Sequence, residues 1–363
     1  MTEKPISSPR SRAESFAQRL GLSLPIFLAP MSGACPPSLS AAVANAGGFG
    51  ACGALLMQPG EIAAWCADFR RESQHRDNFQ INLWIPDPPP ARNVANENYL
   101  REFLAQWGPA LAPDAGNPSL PDFDEQCRAL LDAAPRVISS IMGLYPPAFV
   151  SQMKSRGILW FATATTVAEA KAAEAAGADA IVAEGMEAGG HRGAFRAEDA
   201  ERQLVGSISL IPQIADAVSV PVIAAGGIAD ARAIAAALIL GASAVNIGTG
   251  FLRAPEAKIH PAYAARLAQT DAHETAITRY FSGRPGRAAV NDYVRATFAP
   301  GAPLPAPYPV QRGLTRVMRE AALKSSNVEH MQMWAGQSAR LAQAVPAAAL
   351  TQQLWAAASR LLP

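Results

Sequence analysis

Short apolar, β-leaning runs alternate along most of the chain with alanine-rich stretches of helical periodicity. Eight such runs stand at residues 25–29, 49–53, 79–84, 136–140, 158–162, 178–184, 220–225 and 242–247. Near-continuous apolar strands separated by amphipathic helices are the signature of a parallel sheet covered on both faces. Eight βα units close naturally into a barrel, so the pattern predicts an α/β fold of the (β/α)8 TIM-barrel type. Two stretches break the repeat. Residues 85–124 are dense in proline (IPDPPP, then WGPALAPDAGNPSLPD) around one helix expected near 97–107. Residues 253–314 carry FAPGAPLPAPYP and read as a lid or small subdomain inserted after strand eight. The expected organisation is a barrel over 1–252 with its Pro-rich insertion, a substrate-side lid over 253–314, and a helical segment over 315–363 packing on the barrel. Both excursions leave from the C-terminal rim, where barrel enzymes place their sites.

Composition narrows the function. Half of the 363 residues are hydrophobic and 17% are charged, enough for a large buried core. The formal charge is +1 with basic residues scattered, which gives no footprint for nucleic acid or an anionic membrane and favours a small-molecule partner. Cys35, Cys52, Cys66 and Cys127 lie in separate segments, with no CxxC and no histidine at metal spacing. They point to a reducing compartment, without disulfide or metal site. The polar start MTEKPISSPRSRAESFAQRL has no apolar signal core, so a cytoplasmic location is expected. The uncharged run 233–252 contains Gly241, Asn246, Gly248 and Gly250 and reads as helix then strand, not as a membrane span.

The candidate chemistry lies at strand ends. Ala225-Gly226-Gly227-Ile228 follows strand seven and Gly248-Thr249-Gly250 follows strand eight. In barrels these two turns bind phosphate, because glycine lets backbone N–H groups approach an anion. Glu184 to Gly193 (EGMEAGGHRG) follows strand six; its glycines let the backbone pass close to a flat ligand, and it presents His191 on the rim. An imidazole can take a proton from a carbon acid or lie beside an anion. His75, His260, His273 and His330 read as surface or helix residues.

PIFLAPMSGACPP, NLWIPDPPP, FATATTVAEAKAAEAAGADAIVAEGMEAGGHRGAF, PVIAAGGIADARAIAAALILGASAVNIGTGF, TRYFSGRPGR and WAGQSA occur in that order. Together they resemble the nitronate monooxygenases, formerly called 2-nitropropane dioxygenases, and GGHRG with NLWIPDP resembles the class I bacterial type. The resemblance implies noncovalent FMN on the barrel and oxidation of alkyl nitronates, with propionate 3-nitronate among the candidates, by O2 to a carbonyl compound and nitrite. It implies that Ala29, Pro30 and Met31 line the flavin, that Asn82 contacts it and that Gly189 lies beside the ring. Gly226, Gly227, Gly248 and Thr249 would hold the phosphate, and His191 matches the family's catalytic histidine, acting as base only on a neutral nitroalkane. Trp84 and Tyr308 are candidate pocket walls.

Three departures matter. Glu184 stands where the family usually has Gln, placing a carboxylate near the flavin; Asn246 replaces another Gln; and Ile141 and Met142 stand where larger side chains are common. The alternatives are an FMN-dependent NAD(P)H:quinone or enoyl reductase on the same barrel, an IMP-dehydrogenase-like barrel with Cys35 as nucleophile, and a non-catalytic flavin-binding paralogue. Oligomeric state is left open.

Overall fold

The computed structural model describes residues 8–363; residues 1–7, and with them part of the polar N-terminal stretch, lie outside. In chain order the strands are β1 (Ile26–Leu28), β2 (Gly50–Gly53), β3 (Phe79–Trp84), β4 (Val137–Ile141), β5 (Leu159–Ala164), β6 (Ala180–Glu184), β7 (Gly190–His191), β8 (Val222–Ala225), β9 (Ala244–Ile247), β10 (Thr275–Thr278) and β11 (Gly286–Ala289). Eight of them pair in parallel in the order β1-β9-β8-β6-β5-β4-β3-β2. A parallel bridge between Phe27 and Phe49 joins the two edges. Leu28 N–H donates to Phe49 C=O at 2.8 Å and Phe49 N–H to Ile26 C=O at 3.0 Å, so the barrel is closed.

Its eight strands coincide with the eight apolar runs, because strands covered on both faces have no polar face to interrupt them. Local signals start the helices between them. Thr166 accepts from Glu169 N–H at the head of Val167–Ala175, and Asp230 caps Ala231–Ile239 in the same way. The N-terminal end of the barrel is plugged: Phe16, from helix Pro9–Arg19, packs 6.0 Å from Phe27 and 6.3 Å from Phe161, with Phe49 beside them. Burying each such ring contributes roughly 1.5–3 kcal/mol, and the floor it makes leaves the C-terminal rim for function.

The rim is covered by a cap that draws on both irregular stretches. Helix Val94–Leu104, inside the Pro-rich excursion, packs Leu100 and Leu104 against Phe281, Tyr293, Val310 and Leu314 from beyond β9. β10, β11 and β7 form a separate antiparallel sheet in which Gly286 pairs with His191 and Arg287 with Gly190. The loop after β6 is therefore held from above as an edge strand of the cap. After the cap, helix Ala347–Ala358 packs on Pro37–Asn45 and Ala231–Ile239 and completes the outer ring of helices. Among the described residues no helix is long and apolar enough to cross a membrane.

Candidate active site

Two glycine turns at the ends of β8 and β9 form a cradle of unused donors. Gly226 and Gly227 both take positive φ, +97° and +74°, a pair of left-handed residues that turns successive N–H groups outward. Among the described residues the N–H groups of Gly227, Ile228 and Gly248 have no partner in the chain. A nearby helix start, Ser207–Ala217, is by contrast already occupied: the Glu187 carboxylate accepts from Ser207 N–H at 2.9 and 3.1 Å and from its hydroxyl at 2.9 Å. An external anion is therefore directed to the two turns rather than to that helix. The WAGQS segment is stitched over them. Gly336 N–H donates to Thr249 Oγ1 at 3.0 Å, Ser338 Oγ to Gly227 C=O at 2.6 Å, and Gln337 N–H to Glu187 C=O at 2.9 Å.

Inside the mouth, Asn82 in β3 donates to Ser139 Oγ at 3.1 Å, and the Asn246 Oδ1 in β9 is buried without a partner among the described residues. A sealed amide oxygen with no donor costs about 1–3 kcal/mol, a cost that a ligand N–H placed there would offset. Ala29-Pro30-Met31 leaves the end of β1 beside Gly248, where an added Cβ would lie 3.3 Å from Met31 Sδ. Free amides, an orphan amide oxygen and a glycine-cleared wall fit a flat phosphorylated ring system such as FMN.

Cys35 behind this wall is an inert thiol. It donates to Ala29 C=O at 3.3 Å, and burial pushes its pKa up to about 12, which removes the nucleophile that an IMP-dehydrogenase-like reading needs. All four cysteines are free and buried, and no group of His, Cys, Asp and Glu among the described residues could hold a metal.

Glu184 is not the uncompensated charge that the sequence suggests. Its Oε1 accepts from Arg192 Nη1 at 2.7 Å and from Gly193 N–H at 3.0 Å, and Arg192 Nη1 also bonds Gly185 C=O at 2.8 Å. The pair is buried and staples both ends of the 184–193 loop. Burial raises the Glu184 pKa while Arg192 and the Gly193 amide oppose the rise.

His191 points the other way, into the cap. Its ring lies between Trp84 (centroids 4.5 Å, near edge-on) and Trp334 (4.6 Å), and Nε2 is 2.7 Å from Ser282 Oγ. Trp84 in turn packs 5.3 Å from Tyr308. Burial first, then the positive charges of Arg284, Arg312 and Arg319, push the His191 pKa down to about 3, so the ring is neutral at physiological pH. Arg284 is buried and paired with Asp87 of the Pro-rich excursion. Arg312 is half-buried; its carbonyl accepts from Arg319 Nη2 at 3.0 Å, but among the described residues its guanidinium has no hydrogen-bonding or ionic partner, and the buried Tyr308 hydroxyl is also unpartnered. Of the residues singled out from sequence, those at the ends of β1, β3, β6, β8 and β9 converge on the rim, and Trp84 and Tyr308 join His191 there. Ser282, Arg312 and Trp334 were missed as site residues: they come from the cap, and only TRYFSGRPGR and WAGQSA marked two of their segments.

A closed barrel with a rim cradle for an anion, a polar mouth and an aromatic cap is the architecture of a phosphorylated-cofactor oxidoreductase. The model of the family described as nitronate monooxygenase matches residues 14–357. A nitronate monooxygenase of Pseudomonas aeruginosa is 38% identical, covering 94% of this chain and 98% of its own length, and a probable nitronate monooxygenase of Staphylococcus aureus is 34% identical (91% and 93%). Among solved structures, a nitroalkane oxidase from Streptomyces ansochromogenes superposes with a TM-score of 0.84 at 35% identity (95% and 98% covered), and FabK from Thermotoga maritima with 0.72 at 25% (98% and 97%). The chain belongs to the nitronate monooxygenase family and is an FMN-dependent oxidoreductase.

Proposed function

We propose that this enzyme oxidises alkyl nitronates, taken as preformed anions, with O2 to a carbonyl compound and nitrite. FMN would be held by Gly226, Gly227, Gly248 and Thr249 at its phosphate and by Ala29, Pro30, Met31, Asn82, Gly189 and Asn246 around its ring. Bound there, it supplies the electron acceptor for the substrate carbon and the route to O2. What supports the reading is a pair of groups in the same cap that are unsatisfied among the described residues: the Arg312 guanidinium, whose charge reaches His191, and the Tyr308 hydroxyl, on the ring that packs against Trp84, which could together receive an anion. A neutral His191 with so low a pKa is a poor base for a carbon acid but can sit beside an anion without a proton change, which favours the nitronate over the neutral nitroalkane. The Trp84, Trp334 and Tyr308 rings wall the substrate from water. Four free cysteines fit a cytoplasmic enzyme.

Oxygen uptake by the FMN-loaded enzyme tests this directly. Rapid uptake with release of nitrite is expected with an alkyl nitronate or propionate 3-nitronate, and little with the neutral nitroalkane supplied fresh at the same pH. Uptake only with NADH or NADPH would replace the reading by a reductase on the same barrel, and no uptake with either would point to a flavin-binding paralogue without turnover. Replacing Arg312 by methionine removes a charge-assisted contact worth roughly 1.5–3 kcal/mol. The KM for propionate 3-nitronate is then expected to rise about 10–100-fold with kcat less affected, measured by initial rates; an unchanged KM would remove Arg312 from the substrate site.

A further inference from the structure

Ser282 sits in the TRYFSGRPGR segment of the cap, fully buried, and its hydroxyl meets three groups at once. It donates to Arg284 C=O at 3.1 Å, accepts from Arg284 N–H at 3.3 Å and lies 2.7 Å from His191 Nε2. A hydroxyl has one proton and two lone pairs. The assignment that satisfies all three contacts gives the proton to the Arg284 carbonyl and one lone pair to its amide, and the remaining lone pair then accepts from Nε2, which carries the imidazole proton. The turn that fixes this arrangement is itself anchored from two sides: the Arg284 guanidinium pairs with Asp87 and donates to Ala194 C=O at 2.6 Å. Asp87 comes from the excursion after β3 and Ala194 from the segment after β7. Two distant stretches of chain thus hold one hydroxyl in place.

We propose that Ser282 is a positioning residue that sets the tautomer of His191, leaving Nδ1 as the bare acceptor nitrogen presented to the substrate. Nδ1 has no partner among the described residues and is not among the sealed polar atoms, so it is left open. A neutral ring with a fixed tautomer offers the substrate a lone pair at Nδ1, which on a nitronate anion can receive only a C–H and turns the anionic oxygens away from the imidazole. The opposite tautomer would offer a donor there instead. The inference rests on the reading of His191 as facing the substrate.

The test is 15N NMR of the FMN-loaded enzyme with labelled histidine, the His191 signals being those lost in H191Q. The wild type is expected to show a pyrrole-type Nε2 and a pyridine-type Nδ1, unchanged over about pH 5.5–8, the range in which an ordinary histidine titrates. S282A is expected to move both resonances toward averaged values and to lower kcat/KM about 10-fold with flavin content unchanged, and S282T to restore the wild-type pattern. A pyridine-type Nε2 in the wild type, or an S282A spectrum identical to it, overturns the assignment even if a variant folds poorly, because the first reading needs no variant. If the tautomer is as stated but nitronate is not oxidised, it is the proposed reaction that fails.

Discussion

Replacing Glu184 by alanine is expected to lower the free energy of unfolding by about 3–5 kcal/mol, read from urea titration of the FMN-loaded protein. The size follows from Arg192, not from Glu184. Arg192 is almost wholly buried; its Nη1 has Glu184 Oε1 and Gly185 C=O, and its Nε and Nη2 have no partner among the described residues. Taking away the carboxylate strands a positive charge in the interior, where no water shell replaces it. Glutamine at 184 keeps an oxygen for Arg192 and Gly193 and is expected to cost less than half as much. Removing both charges in E184M/R192M is also expected to cost less than E184A alone, since it is the orphaned partner that destabilises. A loss below about 1 kcal/mol in E184A would mean that Arg192 swings to solvent and that the pair does not staple the loop.

The pair also shows where reading the sequence succeeds and where it stops. The eight strands were legible to within a residue or two because burial on both faces leaves an unbroken apolar run, and the turn after β8 was legible because its two positive-φ positions favour glycine. Glu184 was legible as a charge at the site, but its partner was not. Arg192 follows His191 directly, and in a strand successive side chains point to opposite faces. His191 turns up into the cap and Arg192 down against Glu184, a divergence that two adjacent letters do not reveal until β7 is seen to exist. β7 and β11 are made of glycine, arginine, alanine and one histidine, none with strong strand preference, so tertiary pairing alone creates that sheet. The same limit hid Ser282 and Arg312. They reach the site because the insertion helix Val94–Leu104 and the segment after β9 pack into one cluster, a contact between apolar faces far apart in the chain. Helix Ala347–Ala358 reads locally as any amphipathic helix, and only its packing against Pro37–Asn45 and Ala231–Ile239 places it in the barrel's outer ring.

Gly189→Ala is the sharpest test of the cofactor cradle. A Cβ on Gly189 would lie 2.6 Å from Ala335 C and 2.9 Å from Thr249 Oγ1, with Gly336 N closer still. Two of these are backbone atoms, so the WAGQS segment must move rather than a side chain rotate. Moving it breaks the Gly336 N–H bond to Thr249 Oγ1 and the Ser338 bond to Gly227 C=O, the two links that tie this segment to the glycine turns after β8 and β9. Overpacking of this kind costs typically 1–3 kcal/mol; if most of it falls on the flavin-bound form, FMN affinity should drop about 10–100-fold while far-UV circular dichroism still reports an intact barrel. Gly190→Ala is the control for backbone strain without a clash: it has positive φ, +83°, and nothing within 4 Å of the added atom. Its expected cost is roughly 1–2 kcal/mol of stability, with flavin retained. Flavin lost from G189A and kept by G190A locates the cofactor under the WAGQS segment. Equal retention by both would mean that the segment slides freely over Thr249, and the phosphate would then be held by the two turns alone.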